Sequence, residues 1–149
     1  MSFNLNDWLK DTIDIDNIDG TASICQKVRP RIVCQDGYSV SVQASACYYC
    51  APMYTQFQSY DGWHVINGVY WRMCEKERTF RTGHYIPYEA VELGFPSEED
   101  ELINKYAEDE DYTHAVYPYT PVDVVEQLIE KHGGFKCVDE SNVTGESKS

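Results

Sequence analysis

The sequence predicts an α+β fold, in which an antiparallel sheet of hairpins carries two or three helices, the last of them packed on one face. Hairpin signals in the first half and one strongly capped amphipathic segment near the end are the observations that predict it. A chain of 149 residues with 42% hydrophobic residues is long and apolar enough for one domain. We therefore expect a single domain over 1–138, with 139–149 as a disordered tail.

The first half of the chain predicts one helix and two hairpins. Apolar residues at helical spacing indicate a short amphipathic helix: Leu5, Trp8, Leu9 and Ile13. Strands at 31–35 and 38–45 flank Asp36-Gly37, a two-residue turn that suits the twist of paired strands. A second hairpin is expected over 63–73 around Asn67-Gly68, and we place it in the same sheet.

The next segment predicts a strand followed by a helix. Alternating apolar residues indicate a strand over 88–95. Ser97 and Asp100 form a pair resembling a capping box, and acidic residues fill the first turn, where the helix dipole favours them. We expect this helix over 98–107, with an apolar stripe made of Leu102, Ile103 and Tyr106.

The last helix has the clearest boundaries. The segment before it, 114–120, reads as extended, and Pro118 indicates a sheet edge or a strand end. Thr120 is the predicted N-cap and Pro121 the first helical residue, while Gly133-Gly134 ends the helix. The buried stripe of this helix, predicted over 121–132, is Val122, Val125, Leu128 and Ile129.

The chain is strongly acidic, with 25 acidic and 12 basic residues and a formal net charge of −13. Such a charge repels phosphate backbones and argues against direct nucleic-acid binding. One interpretation of the acidic residues after position 97 is a solvated surface. The other is a set of carboxylates that imitate phosphates and bind a basic groove on a host nucleic-acid-binding protein. The residues predicted to bind that partner are Glu98, Glu99, Glu101, Glu108, Asp109, Glu110 and Asp111.

Cys47 and Cys50 have the spacing of half a zinc site. Cys74 and His84 could complete it, and the basic stretch 72–81 would then provide a contact surface. No second close cysteine pair exists, so one pair is weak support and we favour packing thiols with no cofactor.

The sequence also lacks the usual signatures of an enzyme. No nucleophile elbow, phosphate-binding glycine loop or HExxH motif is present. A cysteine- or histidine-dependent enzyme stays a third hypothesis after the interaction protein and the zinc module. No run of 18 apolar residues and no secretory leader is evident, so we expect a protein of the host cytosol with reduced cysteines and no membrane contact.

Several stretches resemble one family as a set: RIVCQDGYSVSVQAS with YYCAP, YEAVELGFPS, DELINKYAED and VYPYTPVDVVEQLIEKHGG. The family consists of small uncharacterised proteins of phages, prophages and mobile elements of Firmicutes. The resemblance covers about 31–135, but family members have a shorter link with an arginine after the Cys-x-Pro, where this chain has Met53. The resemblance therefore implies that 53–84 is an insertion within the domain. It implies a protein made during infection or carried on an element, a context in which small acidic proteins act as inhibitors or adaptors of host machinery, including nucleic-acid-guided defence.

Overall fold

The structure is a computed structural model that describes residues 3–12, 28–44, 48–51, 59–60, 63–66, 69–74, 79–85 and 87–140. For 59–85 it describes the backbone of the strands only. The helices are α1 (Leu5–Asp11) and α2 (Val122–Lys131), and 3₁₀ turns lie at Asn104–Tyr106 and Tyr112–His114. The strands are β1 (Arg31–Cys34), β2 (Ser39–Gln43), β3 (Ser59–Tyr60), β4 (Trp63–Ile66), β5 (Val69–Cys74), β6 (Thr79–Tyr85), β7 (Ala90–Gly94), β8 (Val116–Pro121) and β9 (Phe135–Asp139).

The main sheet is five-stranded, in the order β8-β7-β2-β1-β9, and every neighbouring pair is antiparallel. With α2 packed against this sheet, the predicted α+β fold is confirmed. Pro118 lies in β8, an edge strand, where its missing N–H costs no ladder hydrogen bond. Within the described residues no helix is long and apolar enough to cross a membrane.

The hairpin of β1 and β2 differs from the predicted two-residue turn. Val33 pairs with Ser39, and the Cys34 N–H donates to the Tyr38 carbonyl at 2.7 Å, so the loop contains three residues, 35–37. Gly37 has φ +96°, which is the left-handed position such a loop requires. The Asp36 carboxylate accepts the Tyr38 N–H at 2.8 Å and so holds the loop from within.

The second predicted hairpin forms, but not in the main sheet. Strands β4 and β5 pair from Ile66 and Val69 outward, so the turn falls at the predicted positions 67–68, which themselves lie outside the described residues. These strands belong to a separate four-stranded sheet, β3-β4-β5-β6. The placement of 63–73 in the main sheet was therefore wrong, because strand neighbours are chosen by long-range contacts that a hairpin signal does not encode.

One face of the main sheet forms the core. The strands alternate between buried and partly exposed residues, as period two requires for a sheet covered on one side. The buried set contributed by the sheet includes Ile32, Cys34, Val40, Val42, Val91 and Leu93. The helices cover it with Leu5, Leu9, Val125, Leu128 and Ile129. Leu5 and Leu9 confirm the predicted apolar face of α1; Ile13 lies outside the described residues.

The helix predicted over 98–107 is wrong. Residues 101–103 form a turn that leads into the 3₁₀ turn Asn104–Tyr106. The Asp100 carboxylate accepts the Leu102 N–H at 2.9 Å, so its side chain stabilises a tight turn rather than a helix start. Ser97 is no cap either, because it exchanges hydrogen bonds with Ser39 on β2 at 2.8 and 2.9 Å.

The boundaries of the last helix agree with the sequence at its end but not at its start. Thr120 belongs to β8, and its hydroxyl donates to the Tyr117 carbonyl at 3.0 Å instead of capping the helix. Pro121 takes the N-cap position. Gly133 and Gly134 end the helix with φ of +92° and +96°. The chain then forms β9, a strand that the sequence did not predict and that pairs with β1.

Candidate functional site

The seven predicted partner-binding residues lie on the connection between β7 and β8, and all of them are exposed. We call this set, Glu98, Glu99, Glu101, Glu108, Asp109, Glu110 and Asp111, the acidic surface. Lys105 is the only basic residue within 98–111. The connection has no α-helix, so the carboxylates project from turns rather than from one helix face.

Tyr117 of β8 lies beside the acidic surface. Burial, together with the nearby charges of Tyr112, Glu99 and Asp109, raises the pKa of the Tyr117 phenol to about 12. Glu99 from the first half and Asp109 from the second half therefore both act on this hydroxyl. The Tyr117 hydroxyl donates to the Tyr112 carbonyl at 2.6 Å, which fixes the second half beside β8.

Local hydrogen bonds hold the second half in place. The Asp109 carboxylate accepts the Asp111 N–H at 2.8 Å, and the Glu108 N–H donates to the Val116 carbonyl at 2.9 Å. Asp111 also lies 3.1 Å from the His114 ring, in an exposed pair. Main-chain anchoring of this kind presents the carboxylates in a defined arrangement without burying their charge.

Asp100 differs from its acidic neighbours, because it is buried and both of its carboxylate oxygens accept hydrogen bonds. Its two oxygens lie 2.8 Å from the Lys131 ammonium and 2.8 Å from Nε2 of His132. Nδ1 of His132 lies 2.7 Å from the Asp36 carboxylate, and the ring stacks on Tyr38 with centroids 3.9 Å apart. We call Asp36, Tyr38, Asp100, Lys131 and His132 the histidine cluster.

The contacts of the histidine cluster favour the charged form of the His132 imidazole. Burial lowers the pKa of His132, but the hydrogen bonds to Asp36 and Asp100 outweigh it and raise the pKa. Burial likewise raises the pKa of Asp100, and hydrogen bonds from Lys131, the Leu102 N–H and His132 outweigh it and lower the pKa. Because carboxylates bind both ring nitrogens, neither nitrogen is left to take a proton from a substrate. The cluster therefore connects α2, the β1–β2 loop and the start of the acidic connection.

An exposed aromatic pair next to the acidic surface was missed by the sequence interpretation. Tyr49 and Tyr119 are each 48% exposed, and their ring centroids lie 5.9 Å apart. The two residues are 70 positions apart, so only the fold brings them together. Two closely spaced tyrosines interrupted by Pro118 in an edge strand were the available signal.

Of the three thiols that the structure describes, Cys34 and Cys50 are buried and Cys137 is exposed. Cys50 is wholly buried in the core. Burial, with the Asp36 charge, raises the pKa of the Cys34 thiol to about 11, which keeps it protonated and unreactive at neutral pH. Cys47 and the side chains of Cys74 and His84 lie outside what the structure describes, as do those of the basic stretch 72–81, so the zinc alternative stays a prediction. Among the described residues, no group of three or more His, Cys, Asp or Glu side chains could hold a metal ion.

No protein-family model, curated protein or solved structure matches this chain significantly. The resemblance to phage and mobile-element proteins is therefore a prediction that rests on the quoted stretches alone.

Proposed function

We propose that this chain is a small non-enzymatic interaction protein of the phage-encoded inhibitor type. Its partner is a host protein that binds nucleic acid, and the acidic surface occupies the basic groove of that partner in the manner of a phosphate backbone. The observation that supports the proposal is the exposure of all seven acidic residues on one connection, whose second half is anchored to β8 by the Glu108 N–H and the Tyr117 hydroxyl.

Electrostatics favours such a partner over others. A chain with a net charge of −13 repels nucleic acid and anionic membranes but accelerates encounter with a positively charged groove. Exposed carboxylates keep their hydration until a partner arrives, so they cost the fold little. Asp100 is the exception, since it serves the histidine cluster and is not counted in the acidic surface.

The proposal of a non-enzymatic role draws on the histidine cluster. His132 is the buried histidine among the described side chains, and both its nitrogens are bound to carboxylates. The exposed His114 lies beside Asp111 and Thr113. These surroundings suit structural and surface roles rather than activation of a nucleophile.

Charge reversal tests the proposal. The variant carries Glu98→Lys, Glu99→Lys, Glu101→Lys, Glu108→Lys and Glu110→Lys. The matched control reverses five exposed acids elsewhere: Asp11→Lys, Glu89→Lys, Asp123→Lys, Glu130→Lys and Glu140→Lys. Both variants change the net charge equally, so they separate a localised surface from a global charge effect. The partner is first isolated from host extract with the wild-type chain, and its affinity is then measured for all three proteins by calorimetry.

We expect the acidic-surface variant to lose binding by at least about a hundredfold, because several attractive contacts become repulsive. The control should bind within about tenfold of wild type, since distant charges are screened at physiological salt. Circular dichroism should show both variants folded. Equal losses in the two variants, or unchanged binding in both, would remove the acidic surface as the binding site.

A further inference from the structure

A bulge in β8 exposes Tyr119. Val91 pairs with Thr120 and Leu93 with Tyr117, so Pro118 and Tyr119 both lie opposite the single residue Glu92. Tyr119 has φ +53°, a left-handed conformation that is unfavourable for a bulky side chain. Strained positions and bulges concentrate where a protein redirects a side chain for function.

Tyr49 meets the redirected ring. The Tyr119 N–H donates to the Tyr49 carbonyl at 3.1 Å, so the main chains of the two residues are joined. Their rings are tilted by 49° with centroids 5.9 Å apart, and about half of each side chain is exposed. Two of the three large, exposed hydrophobic residues in the described part of the chain therefore form one contact; the third is Phe95.

Carboxylates border the aromatic pair. The Tyr49 N–H donates to the Glu92 carboxylate at 3.0 Å. Burial raises the pKa of Glu92, the Tyr49 N–H opposes that shift, and the nearby charge of Glu108 raises it further. Glu108 belongs to the acidic surface, and its N–H donates to the carbonyl of Val116 at 2.9 Å, on the same edge strand as Tyr119, so the aromatic pair lies beside the acidic surface. A cation arriving here would relieve the repulsion between Glu92 and Glu108.

We propose that Tyr49 and Tyr119 bind an arginine side chain of the basic partner, with Glu92 and Glu108 balancing its charge. This inference rests on the proposed function and names the chemistry by which the same surface recognises its partner. Aromatic faces attract cations, and a planar guanidinium stacks on a ring while still reaching carboxylates. An apolar occupant would cover two like charges without compensating them, and an acidic occupant would be repelled.

The test uses a fluorescent hexa-arginine peptide as the probe, with hexa-lysine as its comparison, and reads fluorescence anisotropy at roughly 0.15 M salt. The ring-removal variant is Tyr49→Ser with Tyr119→Asn, because asparagine tolerates the left-handed conformation. The matched control is Tyr49→Phe with Tyr119→Phe, which keeps both rings. A third protein carries Glu98→Lys, Glu99→Lys, Glu101→Lys and Glu110→Lys, leaving Glu108 in place.

We expect ring removal to weaken hexa-arginine binding about tenfold and hexa-lysine binding by less. The phenylalanine control should bind hexa-arginine within about twofold of wild type. Unchanged hexa-arginine binding after ring removal would overturn the inference. So would sedimentation showing that the wild type dimerises through these rings, since a second copy would then be the occupant. If the double variant fails to fold, Tyr49→Ser alone, which leaves the bulge residues unchanged, should still lose about threefold.

The charge-reversed protein separates this inference from the proposed function. If the charge-reversed protein still binds hexa-arginine and the ring-removal variant does not, the aromatic pair is the binding site and the wider acidic surface is not. If the charge-reversed protein loses binding and ring removal has no effect, the acidic surface is the binding site and the aromatic pair is not.

Discussion

At the scale of single residues, His132 is a buried side chain whose charge is linked to folding. It lies between two carboxylates at 2.7 and 2.8 Å and stacks on a buried tyrosine. These contacts favour the protonated ring in the folded chain, whereas an unfolded histidine titrates near 6.5. The stability of the protein is therefore linked to pH through this ring.

The sign of that linkage gives the first prediction. Because folding raises the pKa of His132, its contribution is complete below pH 6.5 and is lost as pH rises through the folded value. Asp36 and Asp100 act in the opposite direction: their folded pKa values lie below 3.8, so their contribution is lost only as pH falls below that range. Urea unfolding should show greatest stability between pH 3.8 and 6.5 and a decline above it.

His132→Gln provides the matched comparison for this pH series. It should cost on the order of 2 kcal/mol at pH 6, because charged hydrogen bonds to both carboxylates are lost. The cost should be smaller at pH 9 than at pH 6, because a rise in pH favours the uncharged ring. An equal cost at both pH values would show that the ring acts through packing alone.

At the scale of elements, α1 is joined to the sheet by a buried arginine. The Arg29 guanidinium donates to the Thr12 hydroxyl and the Ala44 carbonyl, both at 2.7 Å, and to the Leu9 carbonyl at 3.0 Å. Leu9 and Thr12 lie at the C-terminal end of α1, where the helix dipole favours a cation. One side chain thus caps a helix and connects it to the end of β2.

Arg29→Ala should destabilise the protein by about 3 kcal/mol or more, because buried acceptors lose their donor and a cavity remains. Hydrogen exchange should show α1 opening before the main sheet. Arg29→Lys keeps the charge but offers one nitrogen in place of three donors, so it should fall between alanine and wild type. If Arg29→Ala lowered protection from hydrogen exchange equally in α1 and in the main sheet, the claim that Arg29 joins α1 to the sheet would be contradicted.

The elements also show what the sequence could predict. Local patterns sufficed for α1, the β1–β2 hairpin, β8 and the glycine end of α2, because period and turn chemistry are written in neighbouring residues. The helix over 98–107 failed because Asp100 bonds its own turn and the distant Lys131 and His132. Strand β9 and the separate second sheet depend on pairings that no local pattern reveals.

The candidate site, too, could be predicted only in part from the sequence. The acidic run is visible in the sequence, and the structure adds that hydrogen bonds anchor its second half to β8. The contact of Tyr49 with Tyr119 depends on the bulge in β8, which shifts the register by one residue. Sequence patterns indicate the composition of the surface but not which residues become neighbours.

At the scale of the whole molecule, the acidic side chains form two groups with different roles. Asp36 and Asp100 hold His132 in the histidine cluster, while the acidic surface faces solvent. The aromatic pair adjoins the acidic surface, because Glu92 accepts the Tyr49 N–H and the Glu108 N–H donates to Val116 on the strand that carries Tyr119. The histidine cluster stabilises the scaffold, and the acidic surface and the aromatic pair are the parts that a partner would contact. This arrangement fits the proposed inhibitor, which competes with nucleic acid for a basic groove.

A competition experiment tests most directly whether this protein displaces nucleic acid from its partner. A labelled duplex bound to the isolated partner is titrated with the wild-type protein, and the bound fraction of the duplex is followed by anisotropy. The account predicts complete release of the duplex, at concentrations set by the affinity of the protein for the partner, and no release by the variant with the five reversed glutamates. A ternary complex, in which the partner holds the duplex and this protein together, would contradict it.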